Sequence, residues 1–187
     1  MGWWAAAAMM VLLLMILALP ILRPEEPARP AVAGGGVPPA ATTDISNMSP
    51  GEAASRLYDR VMRAASANDT AQVQMFLPMA IDAHGMAAPL SSDEAFHLSS
   101  LQRMALRNED ALASAQEALV LEPNHLLLLY TAGEAARAAG QTELATEFAN
   151  RLLEVWDEEM ASGREEYDLH GGMMDDIRAF AESGGGE

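Results

Sequence analysis

The rhythm of apolar and polar positions changes three times along this chain. From Trp3 to Leu22 there is no charged residue, and the run is mostly Ala, Leu, Met, Val and Ile. At 1.5 Å per residue such a run covers about 30 Å, the thickness of a bilayer's hydrocarbon core, and predicts one transmembrane helix over 1–22. Trp3 and Trp4 stand where an aromatic belt meets the interface, Leu12, Leu13, Leu14, Ile16 and Leu17 form the apolar middle, and Arg23 closes the other end. A cleaved signal peptide is the rival reading. It wants a basic leader and a nearby small-x-small site, whereas only Met1 and Gly2 precede the run and Ala31-Val32-Ala33 lies beyond Glu25 and Glu26.

Residues 23–49 have no apolar period. Pro24, Pro27, Pro30, Pro38 and Pro39 surround Gly34-Gly35-Gly36, a composition that favours extended conformations and buries little. Fully extended, this linker would reach on the order of 80 Å at about 3.1 Å per residue. It serves as a tether or as a spacer that docks along a partner.

Helical periodicity begins at Ser49-Pro50-Gly51-Glu52, which has the form of a capping box. Ala53, Leu57, Val61 and Ala64 recur at helical spacing, and Arg56, Arg60 and Arg63 run along another face. A second helix follows the Asn68-Asp69 turn and is expected to be kinked or shortened by Pro78, with a loop after His84-Gly85 that runs through Pro89. Further helices are predicted from Ser92 to about Arg107, Asn108 to Glu122, His125 to Ala139 and Thr142 to about Ala161, broken by Pro123-Asn124, Gly140 and Gly163. No stretch combines alternating polarity with β-branched residues, so 50–162 is expected to be all-α. In 163–187, Met173, Met174, Ile177 and Phe180 form a short amphipathic stretch, read either as a cap on the preceding helices or as a helix for a partner.

Composition narrows the function. The net charge is −16, from 11 basic residues, all Arg, against 27 acidic ones. Nucleic-acid binding needs clustered cations and is excluded as an expectation. With no cysteine there is no disulfide, thiolate metal site or Cys nucleophile. The four histidines, His84, His97, His125 and His170, do not pair with one another at i+3 or i+4 and lie in no HExxH motif. Asp168, His170, Asp175 and Asp176 gather around Gly171-Gly172 without EF-hand spacing and are read as a solvated turn. GxSxG, P-loop and GxGxxG patterns are missing. The expectation is a non-enzyme with no cofactor and no metal.

Shifted by 34 residues, the chain falls into register with itself: Leu98 on Ala132, Ser99 on Gly133, Glu109 on Glu143, Ala111 on Ala145 and Ala115 on Ala149. Short side chains recur where two helices must approach closely. NEDALASAQEALVLEP (108–123) and QTELATEFANRLL (141–153) carry the pattern, which resembles the tetratricopeptide repeat (TPR) family. It departs from that family at Ala95 and Leu129, where an aromatic is expected, and at Asp157 in place of the terminal Pro. The resemblance implies a helical-hairpin solenoid of about three hairpins, with a concave surface made largely by the first helix of each pair. Carried onto this register, it puts Phe96, Ser100, Arg103, Tyr130, Glu134 and Arg137 on that surface, extended by Arg60 and Arg63. Aromatic and Arg side chains are common anchors of protein interfaces.

Together these readings lead to the expectation of a membrane-anchored, non-catalytic scaffold or assembly factor whose partners are other proteins: membrane-complex subunits or an extended peptide. The alternative is a permanent accessory subunit of a membrane complex, for example a respiratory or photosynthetic one. The expected location is a bacterial inner, cytoplasmic-type membrane crossed once. Arg23 and Arg29 lean towards a cytoplasmic domain by the positive-inside rule, whereas bacterial proteins of this layout often face the periplasm; the domain is expected on either the periplasmic or the cytoplasmic side, with the periplasm slightly favoured.

Overall fold

In a computed structural model, residues 48–186 are described. The expected anchor (Trp3, Trp4, Leu12, Leu13, Leu14, Ile16 and Leu17 included) and the linker up to residue 47 lie outside the described residues. No helix among the described residues is long and apolar enough to cross a membrane.

Among the described residues there are eight α-helices and no strand. They are α1 (Pro50–Ser66), α2 (Thr70–Ala87), α3 (Ser92–Met104), α4 (Asn108–Leu119), α5 (Leu126–Ala138), α6 (Thr142–Ala161), α7 (Glu165–Leu169) and α8 (Met174–Glu182), with a 3-10 turn at Gly171–Met173. Two capping boxes start helices. The Ser49 hydroxyl accepts the Glu52 amide at 3.3 Å while Glu52 accepts the Ser49 amide at 3.0 Å, and Ser91 and Glu94 repeat the arrangement before α3.

Three tight turns join α1 to α2, α3 to α4 and α5 to α6, each through a residue of positive φ: Asn68, Leu106 and Gly140. In each, the next amide bonds a carbonyl five residues back: Asp69 to Ala64 (2.8 Å), Arg107 to Gln102 (2.9 Å) and Gln141 to Ala136 (2.9 Å). The chain therefore folds as three successive hairpins. The second and third are in register: α3 begins at Ser92 and α5 at Leu126, α4 at Asn108 and α6 at Thr142, an offset of 34 residues in both pairs.

Small residues set how closely these hairpins stack. Ala111, Ala115, Ala132, Ala135, Ala136 and Ala145 are all inaccessible and form one seam between α4, α5 and α6. Between α3 and α5, the Ser99 hydroxyl donates to the Ala111 carbonyl (2.8 Å) and meets the Thr131 hydroxyl (3.1 Å), so a buried polar pair pins the helix register. The first hairpin has its own core, Leu57, Tyr58, Val61, Leu77 and Ile81, which Leu101 of α3 joins.

The tail packs rather than projects. Met174, Ile177, Phe180 and Ala181 of α8 are buried with Leu126, Leu129 and Leu152 in the core of the last hairpin. Tyr167 of α7 accepts the Leu126 amide (3.1 Å) and donates to Glu159 (2.9 Å). Phe180 enters at Gly133, where a Cβ would stand 2.6 Å from its ring.

Helix α2 continues past Pro78 to Ala87, two residues beyond the Gly85 after which a loop is expected. Proline has no amide to donate to the Gln74 carbonyl, and burial of Leu77, Ala80, Ile81 and Ala83 against α1 supports the helix through that gap.

Gly133→Val should displace the Phe180 ring and destabilise the domain by about 1–3 kcal/mol, as overpacking does. In denaturant unfolding, Phe180→Ala made in the Gly133→Val background should cost much less than Phe180→Ala alone, because the two share one space. Additive losses would show that the pair is not coupled.

Candidate interaction groove and histidine cluster

The first helices of the three hairpins line a groove of about 400 Å³. Tyr58 and Met62 come from α1, Phe96, Ser100, Arg103 and Met104 from α3, and Tyr130 and Ala138 from α5; Leu106, Asn108 and Met173 complete the rim. Phe96, Ser100 and Arg103 share a face of α3 because they are four and three residues apart. Phe96 is almost inaccessible and forms the floor, Ser100 is half-buried and Met104 is exposed. Tyr130 packs edge-on against Phe180 at 5.5 Å, and burial raises its pKa.

Glu134 is the electrostatic centre. Its carboxylate accepts from Arg103 Nη2 at 2.6 Å and from Arg137 Nε and Nη2 at 3.0 and 3.1 Å. Arg103 is 25 % exposed and Glu134 13 %, so their charge-assisted bond is partly desolvated. The Arg103 guanidinium also lies 6.0 Å from the Tyr130 ring centre.

Of the residues expected on the concave surface, Phe96, Ser100, Arg103 and Tyr130 line the groove, and Glu134 and Arg137 adjoin it through Arg103. The two expected extensions lie elsewhere. Arg60 stacks 3.9 Å over Phe76 and bonds Gln72, towards α2, while Arg63 is exposed beside Asp59. Tyr58 and Met62 take that edge of the groove instead.

Behind the groove, α3 carries a second constellation. Asp93 and His97 stand one helical turn apart, and His170, from the tail, reaches across to them. Asp93 Oδ1 is 3.1 Å from His170 Nε2 and 3.5 Å from His97 Nε2. The His97 ring is stacked on Tyr58, with centroids 3.7 Å apart and planes at 20°. His97 Nε2 has no hydrogen-bond partner among the described residues, and burial depresses its pKa to about 4, leaving it neutral at physiological pH. Asp93 titrates below the usual range, chiefly because His170 bonds it. The acids around Gly171-Gly172 take no part in this cluster. In sequence the signal was an Asp–His pair at i, i+4, which a search for His–His pairs alone misses.

The remaining histidines have local roles. His125 caps α5: Nδ1 accepts the Leu128 amide (3.4 Å), so Nε2 carries the proton and donates to Glu166 (3.0 Å). His84 is inaccessible; its Nδ1 donates to the Ala80 carbonyl (2.8 Å) beside a smaller apolar cavity of about 240 Å³ lined by Leu90, Leu98 and Leu121.

No family model, curated protein or solved structure matches this chain.

Arg103→Ala would leave a largely buried carboxylate with only Arg137, and Glu134→Ala would strand a guanidinium. Each should cost about 1–3 kcal/mol in chemical unfolding. The double variant should lose less than the two single losses added, by about 1 kcal/mol or more. A coupling near zero would mean that solvent already screens the pair.

Proposed function

We propose that this protein is a non-catalytic, membrane-anchored interaction module of tetratricopeptide-like type, acting as a scaffold or assembly factor whose groove takes an extended segment of another protein. The observation that carries this is the groove's rim. Leu106 is 83 % exposed and sits at φ +59°, in the turn whose counterpart 34 residues on is Gly140 at φ +76°. A left-handed conformation costs an L-residue about 1–2 kcal/mol and suits glycine. An exposed leucine held there contributes nothing to the core. It makes sense as a contact for something outside the domain.

Supporting features agree. The groove combines aromatic walls (Tyr58, Phe96, Tyr130) with methionines (Met62, Met104), side chains that bury area at low rotamer cost or adapt to irregular partners. The 34-residue offset of the second and third hairpins is the period of the repeat family the sequence resembles. A net charge of −16 disfavours an acidic partner and favours a neutral or basic segment with apolar anchors. Attachment through 1–22 would raise the local concentration of membrane-bound partners, so a weak groove suffices.

A photo-crosslinking residue at Met104, in the full-length chain in its native membrane, should form a discrete protein adduct, and filling the groove by Ser100→Trp should abolish it. An adduct that survives Ser100→Trp, or no adduct at all, rejects the groove as the binding face. Leu106→Gly separates contact from stability. It should raise unfolding stability by up to about 1 kcal/mol by relieving the left-handed leucine, yet reduce crosslinking. A variant that is both more stable and equally crosslinked would remove Leu106 from the interface.

A further inference from the structure

The Asp93–His97–His170 cluster has the donor set of a metal site rather than of a simple hydrogen-bonded pair. One ligand atom from each residue lies within 4.8 Å of the other two. A tetrahedral ion with bonds of about 2.0–2.2 Å to imidazole nitrogen and carboxylate oxygen places neighbouring ligand atoms about 3.3 Å apart. The separations from Asp93 Oδ1, 3.1 Å to His170 Nε2 and 3.5 Å to His97 Nε2, bracket that edge. The third edge runs between the two imidazoles, whose ring centres are 5.4 Å apart and whose ligand atoms lie within 4.8 Å of each other.

The second observation concerns His97 alone. Its Nε2 is buried and unpartnered among the described residues, although Asp93 is near: 3.5 Å with poor alignment is no hydrogen bond. Leaving such a nitrogen unsatisfied is unfavourable, and stacking on Tyr58 restrains the ring from turning it to solvent. A buried, unpartnered imidazole nitrogen held beside a carboxylate is placed as a metal ligand would be.

We propose that Asp93, His97 and His170 bind one divalent transition-metal ion of the Zn²⁺ class. Two imidazoles and one carboxylate suit that class, whereas Ca²⁺ and Mg²⁺ prefer all-oxygen shells. Asp93 is a third exposed, so the cluster is reachable from solvent. The ion joins α3 to the segment that leads through Gly171–Met173 into α8, and so fixes the chain carrying Met173, on the groove's rim, to the helix carrying Phe96, its floor.

The test uses the full-length chain in mild detergent, stripped with EDTA and titrated with ZnCl₂ alone. About one equivalent should bind, and His170→Asn, which keeps a polar contact for Asp93, should weaken binding by more than the 10- to 100-fold that losing an outer-shell partner costs. Co²⁺ in place of Zn²⁺ should give the visible absorption of a four-coordinate ion, absent in the variant. If His170→Asn fails to fold, long-range ¹⁵N–¹H spectra of the unaltered chain decide: Zn²⁺ should move the Nε2 resonances of His97 and His170 and leave those of His84 and His125 in place. No saturable binding, binding unchanged in a folded His170→Asn, or shifts at other histidines would overturn the assignment.

Discussion

Close approach of α4, α5 and α6 is the constraint on which the rest of this domain depends. Six alanines with no accessible surface meet in that seam. Alanine gives up no side-chain entropy on burial and lets helix axes come to the near end of the usual 8–10 Å. Only with the second helices tucked in can the first helices α3 and α5 lie side by side, close enough for Ser99 and Thr131 to share a buried hydrogen bond. That bond matters more for register than for energy: slipping α5 along α3 would strand two hydroxyls in the core.

The groove follows from that register. On α3 the stripe is Phe96, Ser100 and Arg103; on α5, with the same 34-residue offset, it is Tyr130, Glu134 and Arg137. Repetition alone would put two arginines at equivalent places. The acid at 134 draws both towards itself, Arg103 from the neighbouring helix and Arg137 from the next turn. One carboxylate thus ties adjacent hairpins together across the opening while the aromatic residues line it.

Helix existence and hairpin order were legible in the sequence because they are local: capping boxes, a 3.6-residue apolar period and turn residues lie within a few positions of one another. The 34-residue shift was legible for the same reason, since Ala111 and Ala145, or Ala115 and Ala149, announce contacts by size. The exact end of α2, at Ala87, was not legible, because burial of Ala80, Ile81 and Ala83 against α1 extends the helix beyond what local propensity at Pro78 and Gly85 suggests. The α1 edge was only half legible. A helical wheel shows that Tyr58, Met62, Arg60 and Arg63 flank the apolar stripe, but not which flank turns to α3 and which to α2. The Asp93–His170 contact joins residues 77 apart, through a tail whose docking depends on a glycine at position 133 and a phenylalanine at position 180. No periodicity encodes that.

The C-terminal segment, at first sight only an end cap, therefore has a second role. Its α8 covers the apolar face that the last hairpin would otherwise expose, as the end of a stack requires. Its His170 and Met173 turn the other way, towards α3: His170 packs edge-on against Phe96 at 4.9 Å, and Met173 stands on the groove's rim. Binding a flexible segment is weakened by whatever the groove itself must order on contact. A hydrogen bond from His170 to Asp93, and still more an ion held between them, orders that wall beforehand. The proposed metal site and the proposed groove then act in sequence, the first removing freedom that the second would otherwise have to remove on binding its partner.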